Sequence, residues 1–149
     1  MRFVPLLLAL LLTACDAESL RDPDPQLPPG NGTVQIGGFD SSDLRGAPFE
    51  LRQARFVGDE IELRVAYSGG CMEHGFRLLA DEVVALSYPP QLGVHVIHDD
   101  PGDDCEAYIT EIRRVDVSQL VGWLGDSFVV HLHPVDSASD PITIVWEGA

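Results

Sequence analysis

From residue 33 onward the apolar positions recur with a period of two and not 3.6, the mark of strands with one buried face. The clearest run is residues 60–67. Ile61, Leu63, Val65 and Tyr67 fall on one side and Glu60, Glu62 and Arg64 on the other, so one face is expected against a core and one in water. Residues 49–57 precede it, and the intervening Gly58-Asp59 suits the positive φ of a type II′ turn. Residues 49–67 therefore read as a β-hairpin. Further strands are expected at 33–36, 76–80, 83–87, 93–98, 107–114, 128–133 and 142–146, separated by Gly, Pro and Asp clusters. Parallel sheets would demand helical crossovers, of which only residues 118–124 could be a remnant. The expected fold is thus all-β, a small antiparallel β-sandwich or barrel of about eight strands.

The first residues follow another pattern. Met1-Arg2 brings one positive charge, residues 3–12 are almost wholly apolar, and Leu12-Thr13-Ala14-Cys15 closes the segment with small residues before a cysteine. A helix needs about 20 apolar residues to cross the hydrocarbon core, so this shorter run fits a signal segment. Leu12-Thr13-Ala14-Cys15 resembles the lipobox of bacterial lipoproteins. That resemblance implies removal of residues 1–14 and lipidation of Cys15, which becomes the N-terminus, is diacylated on sulfur and is usually N-acylated. Each buried methylene contributes about 0.8 kcal/mol, and stable anchoring takes more than one chain. The expected address is the bacterial cell envelope, membrane-anchored and extracytoplasmic. Asp16 resembles the inner-membrane retention signal of enterobacterial lipoproteins, but that rule varies between bacterial groups, so inner and outer membrane both stay open.

Residues 15–32 read as the lipidated cysteine and a flexible linker, since DAESLRDPDPQLPPGNG is rich in Pro, Asp and Gly and has almost nothing to bury. Fully extended, the linker reaches at most about 55–60 Å. Residues 33–149 are of a length that fits a single β domain. The formal net charge is −15, and loss of Arg2 with the leader makes it more negative still. With no Lys and only Arg113–Arg114 as an adjacent basic pair, the chain is not expected to bind nucleic acid.

Three cysteines are present. Assigning Cys15 to the lipid, as the lipobox resemblance implies, leaves Cys71 and Cys105 as an even pair in an oxidising compartment, where a disulfide is the default. The two stretches around them, G-G-C-x-x-H-x-F and H-x6-C-E-A, resemble a pattern of uncharacterised bacterial lipoproteins and secreted β-domains, which implies no established activity. Three readings of the cluster compete. In one, the disulfide is structural, His74 and His98 bond nearby backbone, and the acidic residues solvate a turn. In another, Cys71, His74, His98 and Cys105 form a zinc site. In the third, the disulfide stays and His74, His98 and Asp104, or others among Asp99, Asp100, Asp103 and Glu106, hold a divalent cation. The acidic run lacks the spacing of an EF-hand loop. His131 and His133 share one face of a strand and could also chelate. Trp123 and Trp146 are either core residues or anchors for a partner.

No G-x-S-x-G elbow or recognisable Cys–His dyad is present, so no catalytic residue is assigned and enzymatic activity is not expected. The expected role is a non-enzymatic binding or envelope accessory module. Its partners would be a membrane, through the lipid, and an envelope protein. No cofactor is expected, with zinc or another divalent cation as the alternative.

Overall fold

The computed structural model describes residues 32–148; the expected leader (residues 1–14), the expected lipidation site Cys15 and residues 16–31 lie outside the described residues. The elements are β1 (Gln35–Ile36), β2 (Glu50–Val57), β3 (Glu60–Gly69), β4 (Gly75–Ala85), β5 (Gln91–Asp99), β6 (Ala107–Asp116), α1 (Ser118–Leu124), β7 (Phe128–Pro134) and β8 (Ile142–Trp146). The hairpin is where the alternation placed it: Val57 pairs with Glu60, and Gly58 has φ 55° at the first turn position, which glycine adopts without steric penalty.

Two sheets face each other as a sandwich, not a barrel. One is three-stranded, in the order β2-β3-β6, and the other is five-stranded, in the order β1-β4-β5-β7-β8. The smaller sheet is antiparallel throughout. The larger one departs from the antiparallel expectation, because β1 pairs with β4 and β5 with β7 in parallel. Parallel neighbours need a long return path. Here strands of the facing sheet provide it: β2 and β3 lie between β1 and β4 in sequence, and β6 with α1 between β5 and β7.

The core lies between the sheets. Ile61, Leu63, Val65 and Tyr67 meet Phe76, Leu78, Val94, Val96, Phe128 and Leu132, and Phe56 stands edge-on to Phe128 and Trp146 at 5.7 and 5.2 Å. On the outer side of the larger sheet Leu79 and Ile97 are also buried. There the segment after β1 crosses the sheet, with the Gly46 backbone against Ile97 and the Phe39 ring 5.9 Å from His95.

Two expectations about faces and breaks are corrected. Glu62 is buried and not in water, because Arg55 and Arg114 reach over it from both neighbouring strands at 2.7 and 2.8 Å. Residues 76–80 and 83–87 do not form two strands. They are one, β4, with an irregularity between Ala80 and Val84.

The ends of the sandwich differ. Glu60 lies beside Asp116 at one end of the β3–β6 pair and Gly69 beside Ala107 at the other, about 30 Å apart for strands of this length. The described chain enters at the first end, where Thr33 bridges Asp116. The loops carrying Cys71 and Cys105 lie at the second.

Candidate functional site

Cys71 follows β3 and Cys105 precedes β6, and the two form a disulfide pair with Cα atoms 5.9 Å apart. Asp103 is the centre of the surrounding loops. Its Oδ2 accepts the N–H groups of Gly70, Cys71 and Met72 at 2.9, 2.8 and 2.9 Å, and its Oδ1 accepts that of Cys105 at 2.9 Å. Successive amides converging on one oxygen make an anion nest. The Cys105 amide, and then those of Met72 and Cys71, hold the Asp103 carboxyl far below the usual carboxylate range against the opposing effect of burial.

Beneath the disulfide lie two histidines, each only 1% exposed. His74 precedes β4 and His98 lies near the end of β5, on the strand's inner face. The His74 Nε2 is 3.2 Å from Asp103 Oδ2, its Nδ1 is 2.8 Å from His98 Nε2, and His98 Nδ1 is 3.2 Å from the Pro48 carbonyl oxygen. Aromatic rings wall the pair. Tyr67 lies 4.5 and 4.7 Å from His74 and His98, and Phe76 stacks on His98 at 4.8 Å.

Counting hydrogens determines the charge of this chain. Both ends are acceptors, a carbonyl and an ionised carboxylate. Each end bond needs a ring N–H, and the bond between the rings needs one more. Three N–H groups on two imidazoles make one positive charge for the pair. Burial, and then the His74 ring beside it, push the His98 titration down, so His98 is the ring held neutral, with its hydrogen on Nδ1 toward the Pro48 carbonyl.

The remaining acidic residues have other tasks. Asp100 Oδ1 accepts the Gly102 and Asp103 amides, both at 2.8 Å, and closes the turn. Asp99 binds Arg77 at 2.6 and 2.9 Å. Asp104 and Glu106 are exposed. The expected metal set of His74, His98 and Asp104 is therefore gathered only in part: the two histidines meet, but the acid that joins them is Asp103. All four ring nitrogens already have hydrogen-bond partners, and the donors of Cys71, Asp103 and Cys105, which lie within 4.8 Å of one another, include two sulfurs bonded to each other. This donor set does not fit a zinc ion, which needs free thiolates and imidazole lone pairs.

His131 and His133 do share a face. His131 binds Thr143 Oγ1 and Gln91 Oε1, both at 2.9 Å, while His133 lies 5.9 Å from His95 across the parallel ladder. Trp146 is buried and Trp123 is about half exposed.

A second interior group was not expected from the sequence. The Tyr67 hydroxyl donates to Glu111 at 2.6 Å and Arg113 Nε donates to the same carboxylate oxygen at 2.7 Å. Burial and the Glu111 charge push the Tyr67 hydroxyl up to about 12. The signal was the alternation of β6, which sets Glu111 and Arg113 in phase with Ile109 and Val115 on the inner face.

The outer face of the three-stranded sheet is concave. A cavity of about 670 Å³ is lined by Arg52, Arg55, Glu62, Arg64 and Ile112, among others. Arg52, Arg55, Arg64 and Arg114, four of the seven arginines in residues 32–148, belong to this sheet face and its margin. A bulge between Leu51 and Gln53 redirects Arg52, which binds the Tyr108 hydroxyl at 2.9 Å and Glu50 at 3.2 Å. Burial opposes the charge of Glu62, but Arg114 and Arg55 hold its carboxyl below its ordinary value. Arg64 has no ion pair among the described residues.

No protein-family model and no curated protein matches the chain. Solved structures do. One is a protein of unknown function from Bacteroides vulgatus, 10% identical with a TM-score of 0.54, the match covering 80% of this chain and 58% of that one. A NigD-like immunity protein from Bacteroides caccae is 11% identical with a TM-score of 0.54, over 69% of this chain and 52% of that one. A lipoprotein candidate from Bacteroides fragilis is 12% identical with a TM-score of 0.54, over 80% and 73%. What they share with this chain is the fold. The chain spans little more than half the length of the first two.

Proposed function

We propose that the chain is a lipoprotein of the bacterial envelope, anchored through Cys15, whose sandwich is a non-enzymatic module that binds an envelope protein on the outer face of β2, β3 and β6. The observation that carries this reading is the concentration of arginines over the 670 Å³ concavity of a chain whose net charge is −15. Glu50 and Glu62 balance part of the arginine charge, but with Arg64 outside every ion pair among the described residues the face repels acidic surface less than the rest of the domain does. That one fold neighbour is named a lipoprotein candidate supports the address. The polar groups buried at the opposite end are absorbed in mutual hydrogen bonds, as expected of a scaffold.

Two measurements test the two halves. Cys15→Ser should abolish incorporation of an alkyne-labelled palmitate and release the protein from the membrane fraction; unchanged labelling refutes the anchor. A photo-crosslinking residue at Arg64 should yield a discrete adduct in cells, and the same residue at Val145, on the other sheet, should not. Absence of an adduct at Arg64, or equal adducts at both sites, refutes the binding face.

A further inference from the structure

β6 is the end strand of its sheet, and its open side is long. The other edge strands are short or covered. β1 has two residues, and β2 is met by Ser139, whose hydroxyl accepts the Leu51 amide at 2.9 Å, and by β8. Along β6 the only pairing partner on the open side among the described residues is the stretch around Thr33, at Asp116.

That short contact reveals how the rest of the edge is aimed. The Asp116 amide donates to Gly32 O at 3.3 Å and the Asp116 carbonyl accepts the Val34 amide at 2.9 Å, so the backbone groups of Asp116 point away from β3. The β3–β6 register is unbroken from Glu60–Asp116 to Gly69–Ala107. Every second residue back from Asp116 must then turn its amide and carbonyl to the open side. These are Arg114, Ile112, Thr110 and Tyr108. Their side chains share the sheet's outer face, where Tyr108, Thr110 and Ile112 are exposed. No Lys or Pro guards the strand, and an unguarded edge of this length is a template for pairing.

We propose that the occupant is a second copy of this chain, with two β6 strands paired antiparallel about a two-fold axis at Thr110 to join two three-stranded sheets into one six-stranded sheet. The sequence is self-complementary in that register. Thr110 meets its own copy, Tyr108 lies opposite Ile112, and Glu106 lies opposite Arg114, each of the last two pairings occurring twice as a two-fold axis requires. Tyr108, Thr110 and Ile112 of the two copies would exchange about six backbone hydrogen bonds. On the inner side Ile109 faces Glu111, which Tyr67 and Arg113 already hold. An axis at Ile112 would spend the backbone groups of Asp116, which are already bonded, and would lose the Glu106–Arg114 pairing. Joined this way, the arginine-bearing faces of the two copies form one continuous surface. The pairing does not depend on the lipid anchor or on the binding face, so it can be tested in isolation.

The test uses the chain from Asp16 onward, oxidised, in sedimentation velocity from low micromolar to several hundred micromolar. A reversible monomer–dimer equilibrium is expected. Thr110→Pro removes an edge amide that β3 does not use and should weaken dimerisation about tenfold or more. Thr110→Cys should cross-link two copies on mild oxidation, since directly opposed residues of a hydrogen-bonded pair have Cα atoms about 5.5 Å apart; Val145→Cys should not. Should Thr110→Pro fail to fold, the cross-link decides. A monomer at every concentration overturns the proposal, as does a dimer that survives Thr110→Pro and gives no Thr110→Cys cross-link. If the chain from Asp16 is monomeric while a chain from Gly32 dimerises, the linker itself occupies the edge and the proposal also fails.

Discussion

Replacing Cys71 and Cys105 together by alanine tests what the disulfide contributes. The two residues are 34 apart in sequence, and closing a loop of that length in the unfolded chain removes entropy equivalent to roughly 3.8 kcal/mol at 25 °C. The folded loops have other ties: Asp103 still gathers the amides of Gly70, residue 71, Met72 and residue 105, and none of these bonds involves sulfur. The effect should therefore lie in the unfolded state, with the native fold retained. At about 2.1 cal/mol/K of unfolding entropy per residue, the loss lowers the melting temperature by about 15 °C. Urea unfolding of the wild-type and double-variant proteins, followed by circular dichroism, measures it, and the variant's denaturant slope should rise because its unfolded chain is more expanded. A loss below about 1 kcal/mol would refute the reasoning. So would a variant whose near-ultraviolet spectrum has collapsed, because the bond would then be holding the folded core itself.

The histidine chain gives two further predictions, and the glycine beside it a third measurement of the same site. Ring nitrogen spectra at pH 6.5 should show three N–H groups on the His74–His98 pair, with one of them on His98 Nδ1; two neutral rings would contradict the hydrogen count. Because burial and the His74 charge depress the His98 value below its unfolded value of about 6.5, the unfolded chain takes up a proton there that the folded chain refuses. Stability should accordingly be lost as pH falls below about 6.5, with a second loss below about pH 4, where the unfolded chain protonates Asp103 and the folded chain does not. Urea midpoints that stay constant between pH 7 and 5 would sink this account. Finally, a Cβ on Gly69 would stand 2.5 Å from His74 Nε2 and 3.2 Å from Asp103 Oδ2, so Gly69→Ala should destabilise the domain by about 1–3 kcal/mol through overpacking, and a melting temperature unchanged within a degree would show that the loop yields freely.

The sequence made the strands legible wherever one face met the core and the other met water. Residues 49–67 are the best example, where alternation and a Gly-Asp pair specify both strands and their turn. Legibility failed where neighbours from another strand changed the environment. Glu62 alternates as a solvent residue should, yet Arg55 and Arg114 cover it, and nothing in the local pattern could report arginines 7 and 52 positions away. β4 read as two strands because Asp81 and Glu82 interrupt the apolar run at its irregularity. Among the acids near Cys105 the choice of Asp103 rested on which carboxylate the loop folds beneath the amides of residues 70–72. That is a property of backbone path, and Asp99, Asp100, Asp103 and Asp104 are equivalent in composition.

Topology was the least legible level, for a physical reason that also limits any reading of surface function from strand patterns. Alternation tells which face of a strand is buried, but the pairing direction is set by where the chain returns, and here the return from β5 to β7 passes through a strand of the opposite sheet. The parallel step that results sets His95 beside His133, a neighbourhood absent from the spacing of His131 and His133. The same gap separates a strand's faces from its edges. The pattern of residues 107–114 distinguishes Tyr108, Thr110 and Ile112 from Ile109 and Glu111, but it cannot say toward which neighbour their amides point. That was decided by one bridge, Thr33 to Asp116, which fixes the orientation of every second amide along β6 and, among the described residues, leaves a row of donors and acceptors without a strand partner beside exposed side chains. A strand whose edge is open costs nothing while the chain is alone in dilute solution, but under the proposed lipid anchor its copies would meet often, and there an unguarded edge either finds a defined partner or aggregates. The self-complementary register at Thr110 supplies the defined partner.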